Sequence, residues 1–252
     1  MKYTFSTTLL ALLVVVSLGQ AAFAQDVLIR NATVLTVTNG TLEDTDVLIT
    51  DGVIADIGTD LRAPRGVDVI DATGKFVMPG IIDAHAHIAL SSINEGSSPV
   101  TAEVSMEDVV NPYHLGIYRA SAGGVTVSHT MHGSANVIGG QNETIKHRWG
   151  ATDPDAIRFE GAPRTIKFAL GENPTRVHGR RASGGSGAIV PATRMGVEQV
   201  LRSAFENGKR YMEAWDAYNA EAATNPRAVP PVWNERLEVM ADILRGEILV
   251  HC

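Results

Sequence analysis

The sequence predicts an α/β protein that is preceded by a small β domain. Residues 26–79 contain short segments rich in β-branched residues and separated by turn formers, a pattern typical of strands. From Gly80 onward, candidate strands alternate with candidate helices, which indicates a mostly parallel sheet. We therefore expect a domain boundary near Pro79, with residues 25–79 before it and residues 80–252 after it.

The composition is that of a soluble globular chain. Of the 252 residues, 44% are hydrophobic and 19% are charged, which suits a sizeable core and more than one domain. The 21 basic and 28 acidic residues give a net charge of -7, and no cluster of Lys or Arg interleaves with aromatic residues. A role in binding nucleic acid therefore has no electrostatic support.

Residues 1–24 are predicted to be a secretory signal peptide. Lys2 precedes an apolar run over residues 9–18, and Ala22-Phe23-Ala24 supplies the small-x-small pattern that a signal peptidase cleaves. The alternative is an N-terminal membrane anchor, but the run is shorter than the roughly 20 residues that span a bilayer. We expect export to the periplasm or the medium, with no membrane attachment after cleavage.

The predicted β domain begins after the signal peptide. Its strands are expected at residues 27–29, 33–37, 47–50 and 53–57. Asp51-Gly52 separates the last two, and because this pair accepts positive φ at both turn positions, it predicts a hairpin over residues 46–57. A further turn is expected at residues 71–74. No candidate ligands cluster in this domain, so we interpret it as structural.

The second domain is predicted to alternate strands and helices. Strands are expected at residues 81–88, 125–130, 143–147, 164–170 and 247–251, and helices near residues 113–122, 196–222 and 233–245. Two long loops are predicted, over residues 89–111 and 171–194. Long loops in compact domains are often functional, and in α/β barrels the loops that follow the strands build the active site.

The first predicted strand of this domain carries a candidate metal site. Side chains alternate between the two faces of a strand, so His85 and His87 share a face, and Asp83 lies two residues upstream on the same face. Two imidazoles on one face can bind a divalent metal ion if further ligands converge from elsewhere. The alternative is an incidental pair of histidines.

The residues around this pair resemble a known family. The segment Pro-Gly-Ile-Ile-Asp-Ala-His-Ala-His at residues 79–87, after a β-rich segment with an Asp-Gly hairpin, resembles the amidohydrolase superfamily of metal-dependent hydrolases. Residues 133–141, 167–174 and 191–196 resemble a branch related to imidazolonepropionases and to amidohydrolases of dipeptide-like substrates. The resemblance extends from about residue 26 to residue 252.

This resemblance implies a (β/α)8 TIM barrel flanked by a small β-sandwich that both chain ends build. Residues 25–79 would then form the N-terminal part of the sandwich, and residues 80–252 about five strands of the barrel. A complete barrel needs about 250 residues, so residues 80–252 are too few to close one. We expect an incomplete barrel, and the sequence to be the N-terminal part of a larger enzyme.

The resemblance also implies a metal site. His85 and His87 match the ligands of the first barrel strand, Lys167 matches a strand-4 lysine that is carboxylated when it bridges two ions, and His251 matches the strand-5 histidine. The expected cofactor is a divalent metal, preferably Zn²⁺, as one or two ions. The family adds a strand-6 histidine and a strand-8 aspartate that acts as general base, and we expect both beyond residue 252.

The pattern around Lys167 agrees with an interior position. Thr165, Lys167 and Ala169 share one face of their strand, and a barrel strand has no face toward solvent. The alternative is an ordinary exposed lysine, in which case the site would be mononuclear. His129 and His132 follow the second strand, and we interpret both as structural or surface histidines.

Five other features, four residues and one segment, have weaker signals. Asp83 lies deeper than the histidines and is expected to buttress them. Gln141, Asn142 and Arg176 are candidates for substrate contact, with no preference among them. The glycine-rich segment 183–187 lacks the Lys-Ser/Thr of a phosphate-binding loop, so we interpret it as a flexible loop.

Two functions remain open. The first is a metal-dependent amidohydrolase that hydrolyses amide or peptide-like C–N bonds of a small-molecule or dipeptide-like substrate, using hydroxide that the metal activates. The second is a truncated, non-catalytic protein that binds metal or a partner. The sequence predicts no oligomeric state.

Overall fold

The computed structural model describes residues 26–182 and 191–252. The predicted signal peptide and the glycine-rich segment 183–187 lie outside the described residues. Contacts within the chain divide it into two units, with the boundary between Pro79 and Gly80. Within the described ranges, none of the helices combines the length and the apolar character needed to cross a bilayer.

The first unit is a five-stranded sheet. Its strands are β1 (Val27–Leu35), β2 (Thr41–Thr50), β3 (Val53–Gly58), β4 (Asp68–Asp71) and β5 (Phe76–Val77). The order is β3-β2-β1-β4, and β5 also pairs with β1. Strands β1 to β3 are antiparallel neighbours, whereas β4 and β5 run parallel to β1. The described strands form this single sheet, so the sandwich stays a prediction.

The hairpin between β2 and β3 is confirmed. Asp51 and Gly52 form its turn with φ values of 52° and 76°, the positive pair that the Asp-Gly sequence predicts. Strand β4 was not predicted, because its residues Asp68–Asp71 are all exposed and only two of them are apolar. It forms because its backbone pairs in parallel with β1.

The second unit contains strands and helices, which confirms the α/β class. Its strands are β6 (Ile81–Ala86), β7 (Val125–Thr130), β8 (Ile138–Gln141), β9 (Glu143–Lys146), β10 (Thr165–Phe168) and β11 (Leu249–His251). Its helices are α1 (Leu115–Ala122), α2 (Glu172–Ala182), α3 (Arg194–Ala222) and α4 (Glu235–Arg245), with short 3-10 helices at Met106–Val109 and Asp155–Ile157.

The expectation of a mostly parallel sheet is correct for only part of this unit. Strands β6 and β7 are parallel, as are β10 and β11. Between these pairs, β9 runs antiparallel to β7 and β8 runs antiparallel to β10. Only Asn142 separates β8 from β9. Residues 138–146 therefore act as one bent strand that joins the two parallel pairs.

Strand β8 was missed because of its two glycines, which normally weaken a strand. Here they allow a close approach of other segments. A Cβ at position 139 would lie 2.7 Å from His132 Nδ1, and a Cβ at position 140 would lie 2.7 Å from Val104 Cγ2. Gly139 and Gly140 thus leave room for the chain that crosses this strand.

One predicted loop was wrong. The segment 171–194 contains helix α2, which Pro174 in its first turn favours and in which Arg176 pairs with Glu172 one turn away. The other long loop, residues 89–111, contains no α-helix or named strand, as predicted.

The main core of the second unit packs α3 and α4 against β8 and β10. Its buried residues are Ala102, Val137, Ile138, Ile166, Phe168, Val197, Ala204, Val239, Met240 and Ile248. Helix α4 has clear ends, because the Asn234 side chain accepts from Leu237 N and Gly246 follows with φ 81°. The sequence prediction places this helix correctly.

The crossing of α3 and α4 depends on Gly208. A Cβ at this position would lie 2.7 Å from Met240 Cβ, and Met240 is almost fully buried. We expect Gly208→Ala to lower the free energy of unfolding by about 1–2 kcal/mol, because overpacking outweighs the helical preference for alanine. Urea unfolding measures this. Asn207→Ala, at the exposed neighbouring position, should not destabilise the protein, and an equal effect of both variants would contradict the packing argument.

Candidate functional site

The four predicted ligand residues come together in the second unit. His85 lies on β6, His87 just beyond its end, Lys167 on β10 and His251 on β11. Lys167 Nζ is 3.4 Å from His85 Nε2, and His251 Nε2 is 3.2 Å from His85 Nδ1. The ring centroids of His85 and His87 are 5.3 Å apart. We call these four residues the His–Lys cluster; metal binding by them stays a prediction.

Strand register brings Lys167 and His251 side by side. The parallel pairing of β10 with β11 aligns these two residues directly. Lys167 is 3% exposed, and none of the ion pairs among the described residues includes it. Burial lowers the pKa of its amine. This effect of burial outweighs that of Cys252, which raises the pKa of the amine. A buried lysine without an ion pair is uncommon in a protein interior, and it favours a chemical role.

Two imidazoles of the cluster, those of His85 and His251, are also shifted toward the neutral form. Burial and then the neighbouring charge of Lys167 lower the pKa of both His85 and His251. Neutral imidazole is the form that binds metal ions, so these environments suit ligands.

The donor set fits a divalent metal, but the rings are hydrogen-bonded to one another. His85 directs Nε2 toward Lys167 and Nδ1 toward His251, so the nitrogens do not point at a common centre. Among the described residues, no group of three or more His, Cys, Asp or Glu side chains has an arrangement that could hold an ion. The number and identity of the ions therefore remain predictions.

His87 and Asp83 have contacts that orient the cluster. His87 Nδ1 lies 2.9 Å from the Met131 carbonyl oxygen and donates its hydrogen to it, which leaves Nε2 as the available donor atom for a metal. An Asp83 carboxylate oxygen accepts from the backbone N–H of His85 at 3.1 Å. Asp83 thus contacts the backbone of a predicted ligand, and its buttressing role stays a prediction.

Known proteins resemble this chain in sequence and structure. An amidohydrolase of Hapsidospora irregularis, tasK, is 32% identical over 82% of this chain and 23% of its own length. A dihydroorotase of Pelobacter propionicus is 38% identical over 25% of this chain and 15% of its own length. The crystal structure of an amidohydrolase from Thermotoga maritima matches 90% of this chain with a TM-score of 0.77 and 34% identity.

The chain is thus similar over most of its length to proteins of the amidohydrolase superfamily. It spans 23% and 15% of the two sequence relatives named above, and 58% of the Thermotoga structure. No family model matches it. These similarities confirm the resemblance predicted from the His-x-His segment, whereas the finer branch stays a prediction.

The sequence predicted no role at the cluster for His129, which lies directly beside it. The ring centroid of His129 lies 5.8 Å from that of His251, and burial lowers the pKa of His129. Its Nε2 lies 2.8 Å from Thr165 Oγ1 and its Nδ1 lies 2.9 Å from Thr144 Oγ1. Its place near the C-terminal end of a parallel strand is the signal that could have identified it.

The other histidine after β7 is structural, as predicted. His132 is 1% exposed; its Nε2 accepts from the Glu95 N–H and its Nδ1 donates to the Gly133 carbonyl, both at 2.8 Å. It therefore attaches the loop that contains Glu95 to the end of β7.

The three candidates for substrate contact have protein partners. Gln141 accepts from Arg164, and Arg176 pairs with Glu172 in helix α2. Asn142 occupies the bend between β8 and β9, and its side chain bonds to His132 N and Thr165 Oγ1. Nothing in these contacts tests a role in substrate binding.

Burial lowers the pKa of His132 in the folded chain. The buried neutral imidazole therefore contributes its full stability above about pH 6.5, the ordinary pKa of histidine in an unfolded chain. As the pH falls below that value, the unfolded chain binds a proton that the folded chain excludes, and stability decreases. We expect His132→Gln to reduce this pH dependence, by at most about 1.4 kcal/mol per pH unit. Urea unfolding between pH 5 and pH 8, roughly the window around this pKa, measures it.

The control is His114→Asn, which keeps a side-chain acceptor at the N-terminus of α1. It should retain the pH dependence of the unmodified chain. Equal slopes in His132→Gln and the unmodified chain would contradict the assignment.

Proposed function

We propose that this chain supplies metal ligands to a metal-dependent amidohydrolase that hydrolyses amide or peptide-like C–N bonds. The observation that carries the proposal is Lys167, a nearly fully buried amine with no acidic partner in an ion pair among the described residues, beside His85 and His251. Such an amine suits carboxylation better than it suits a structural ion pair.

The proposed roles follow from the chemistry of each side chain. His85, His87 and His251 would hold the ion through imidazole nitrogens, and Lys167 through a carbamate. When bound, a divalent ion, preferably Zn²⁺, supplies an activated water and polarises the carbonyl oxygen of the substrate. The neutral state that burial favours in His85 and His251 keeps the lone pairs of these two imidazoles available.

Carboxylation of Lys167 requires the amine in its neutral form. The nitrogen lone pair attacks carbon dioxide, a C–N bond forms, one C=O π bond becomes the carboxylate, and the nitrogen releases a proton. Burial favours this reaction, because it lowers the pKa of the amine. The product replaces a basic group by an anionic oxygen donor, which would allow the lysine to bridge two ions. Without carboxylation the site would be mononuclear.

The proposal includes the finer architecture. The parallel pairs β6–β7 and β10–β11 would be strands of a TIM barrel, and the first unit would belong to a β-sandwich. The similarity to the Thermotoga amidohydrolase supports this assignment. Export of the protein, directed by residues 1–24, also remains a proposal.

The names of the relatives support a small-molecule substrate, and a dipeptide-like one remains part of the proposal. They include a dihydroorotase, a dihydropyrimidinase from Caenorhabditis briggsae and an adenine deaminase from Thermosipho africanus. Activity and substrate are proposed for the whole protein, since the chain spans no more than 23% of these relatives. No observation on the described residues favours the non-catalytic alternative.

The ligand assignment predicts a loss of metal affinity in His85→Ala. We expect zinc affinity to fall at least about 100-fold, because the loss of a ligand should cost at least as much as the loss of a supporting residue. Competition with a chromophoric chelator measures the affinity. His114→Asn, which changes a histidine outside the cluster, is the matched control and should bind like the unmodified chain. Equal affinity in His85→Ala would refute the assignment.

Carboxylation predicts a carbamate signal from Lys167. In protein incubated with zinc and ¹³C-labelled bicarbonate, we expect one carbamate carbon resonance, and we expect Lys167→Gln to abolish it. Lys146→Gln, which removes a lysine on β9, should retain the resonance. A resonance that persists in Lys167→Gln, or that is absent from zinc-loaded unmodified protein, would contradict carboxylation and favour a mononuclear site.

A further inference from the structure

A polar set of side chains lies directly beside the His–Lys cluster. His129, Thr144 and Thr165 come from three different strands, and both ring nitrogens of His129 bond to threonine hydroxyls. Thr165 is buried and precedes Lys167 by two residues, so the two side chains share a face of β10. Buried polar sets of this kind orient their members when every bond is satisfied.

The orientation of this set originates at Asn142, at the bend between β8 and β9. Its Oδ1 accepts from the backbone N–H of His132 at 3.2 Å, and its Nδ2 donates to Thr165 Oγ1 at 2.8 Å. Its own backbone N–H donates to the Thr165 carbonyl at 2.8 Å. The His132 N–H can face only the amide oxygen, which fixes the direction of the Asn142 side chain.

The direction of the Asn142 side chain determines the hydrogen bonds of His129. The Thr165 hydroxyl accepts from Asn142, and its own hydrogen has the Nε2 atom 2.8 Å away as its hydrogen-bond acceptor, so we assign the hydroxyl as the donor in this bond. A neutral imidazole that accepts at Nε2 carries its hydrogen on Nδ1, which donates to Thr144 Oγ1. Burial disfavours the charged form. His129 is therefore held as a single tautomer with both nitrogens engaged.

We propose that His129 is a positioning residue for His251, fixed in place by the hydrogen bonds that run from Asn142 through Thr165. Its ring faces that of His251 with an interplanar angle of 35°. On another side, the His85 ring centroid lies 5.0 Å from that of His251. The two rings together confine the His251 imidazole.

The ring of His251 needs orientation beyond the backbone pairing of its strand, β11. Its partner strand β10 aligns the backbone of His251 but leaves the rotation of its ring free. The ring of His129 restricts this rotation. Since both of its nitrogens are engaged, His129 acts as a support and not as a further ligand.

The inference rests on the proposed function only because it takes His251 to be a metal ligand. The test therefore has two separate readouts, one of ring structure and one of metal binding. Thr165→Val keeps the shape and burial of the side chain but removes the hydroxyl, whereas Thr165→Ser keeps the hydroxyl. Thr101→Val is the matched control, because it removes another buried threonine hydroxyl that accepts from Asn136.

The first readout is the histidine ¹⁵N spectrum of the metal-free chain, assigned with His129→Gln. We expect His129 to carry its hydrogen on Nδ1 in the unmodified chain, in Thr165→Ser and in Thr101→Val. In Thr165→Val we expect mixed tautomers of His129 and shifted ring signals of His251. A hydrogen on Nε2 in the unmodified chain, or unchanged His129 and His251 signals in Thr165→Val, would overturn the proposal.

The second readout is zinc affinity, by competition with a chelator. We expect it to fall about 10-fold in Thr165→Val, as for other residues that support ligands, and to be retained in Thr165→Ser and Thr101→Val. An unchanged zinc affinity in Thr165→Val would overturn the positioning role. If the unmodified chain binds no zinc, the proposed function fails, and the ring signals alone then decide whether His129 orients His251.

Discussion

The candidate site depends on the pairing of one bent strand with two others. His85 belongs to the parallel pair β6–β7, whereas Lys167 and His251 belong to the pair β10–β11. Residues 138–146 bond to β7 on one side of the bend and to β10 on the other. A change at this bend would move the two halves of the His–Lys cluster relative to each other, even though the bent strand contributes none of its four residues.

The bend is fixed by hydrogen bonds between polar groups that would otherwise lack a partner. Asn142 uses its side chain and its backbone N–H to bond across to Thr165 and back to His132. His132 packs where Gly139 and Gly140 leave space, since a Cβ at either position would come within 3.1 Å of its ring. The two glycines, the buried imidazole and the asparagine therefore form one local arrangement. Enlarging any of them would disturb the corner, and with it the register that aligns the site.

Much of this could be predicted from local sequence, and the rest depends on distant contacts. The Asp51-Gly52 turn and the end of α4 at Gly246 are fixed by residues adjacent in the chain, so sequence patterns identify them. The face shared by His85 and His87 also follows from strand periodicity. The antiparallel direction of residues 138–146 does not, because it is set by partners at Val127 and Ile166 and the glycines conceal the strand. The place of His129 depends on the same pairing.

The electrostatics of the cluster connect its fold to its proposed chemistry. Three imidazoles and an amine lie together, and burial lowers the pKa of His85, His251 and Lys167. In the neutral state these bases have lone pairs but carry no negative charge. Among the described residues, no acidic side chain forms an ion pair with Lys167. A divalent cation bound there needs anionic ligands to offset its charge in a buried site. Carboxylation of Lys167 would generate that anion inside the cluster, and the burial that lowers the pKa of the amine also favours the neutral form that the reaction requires.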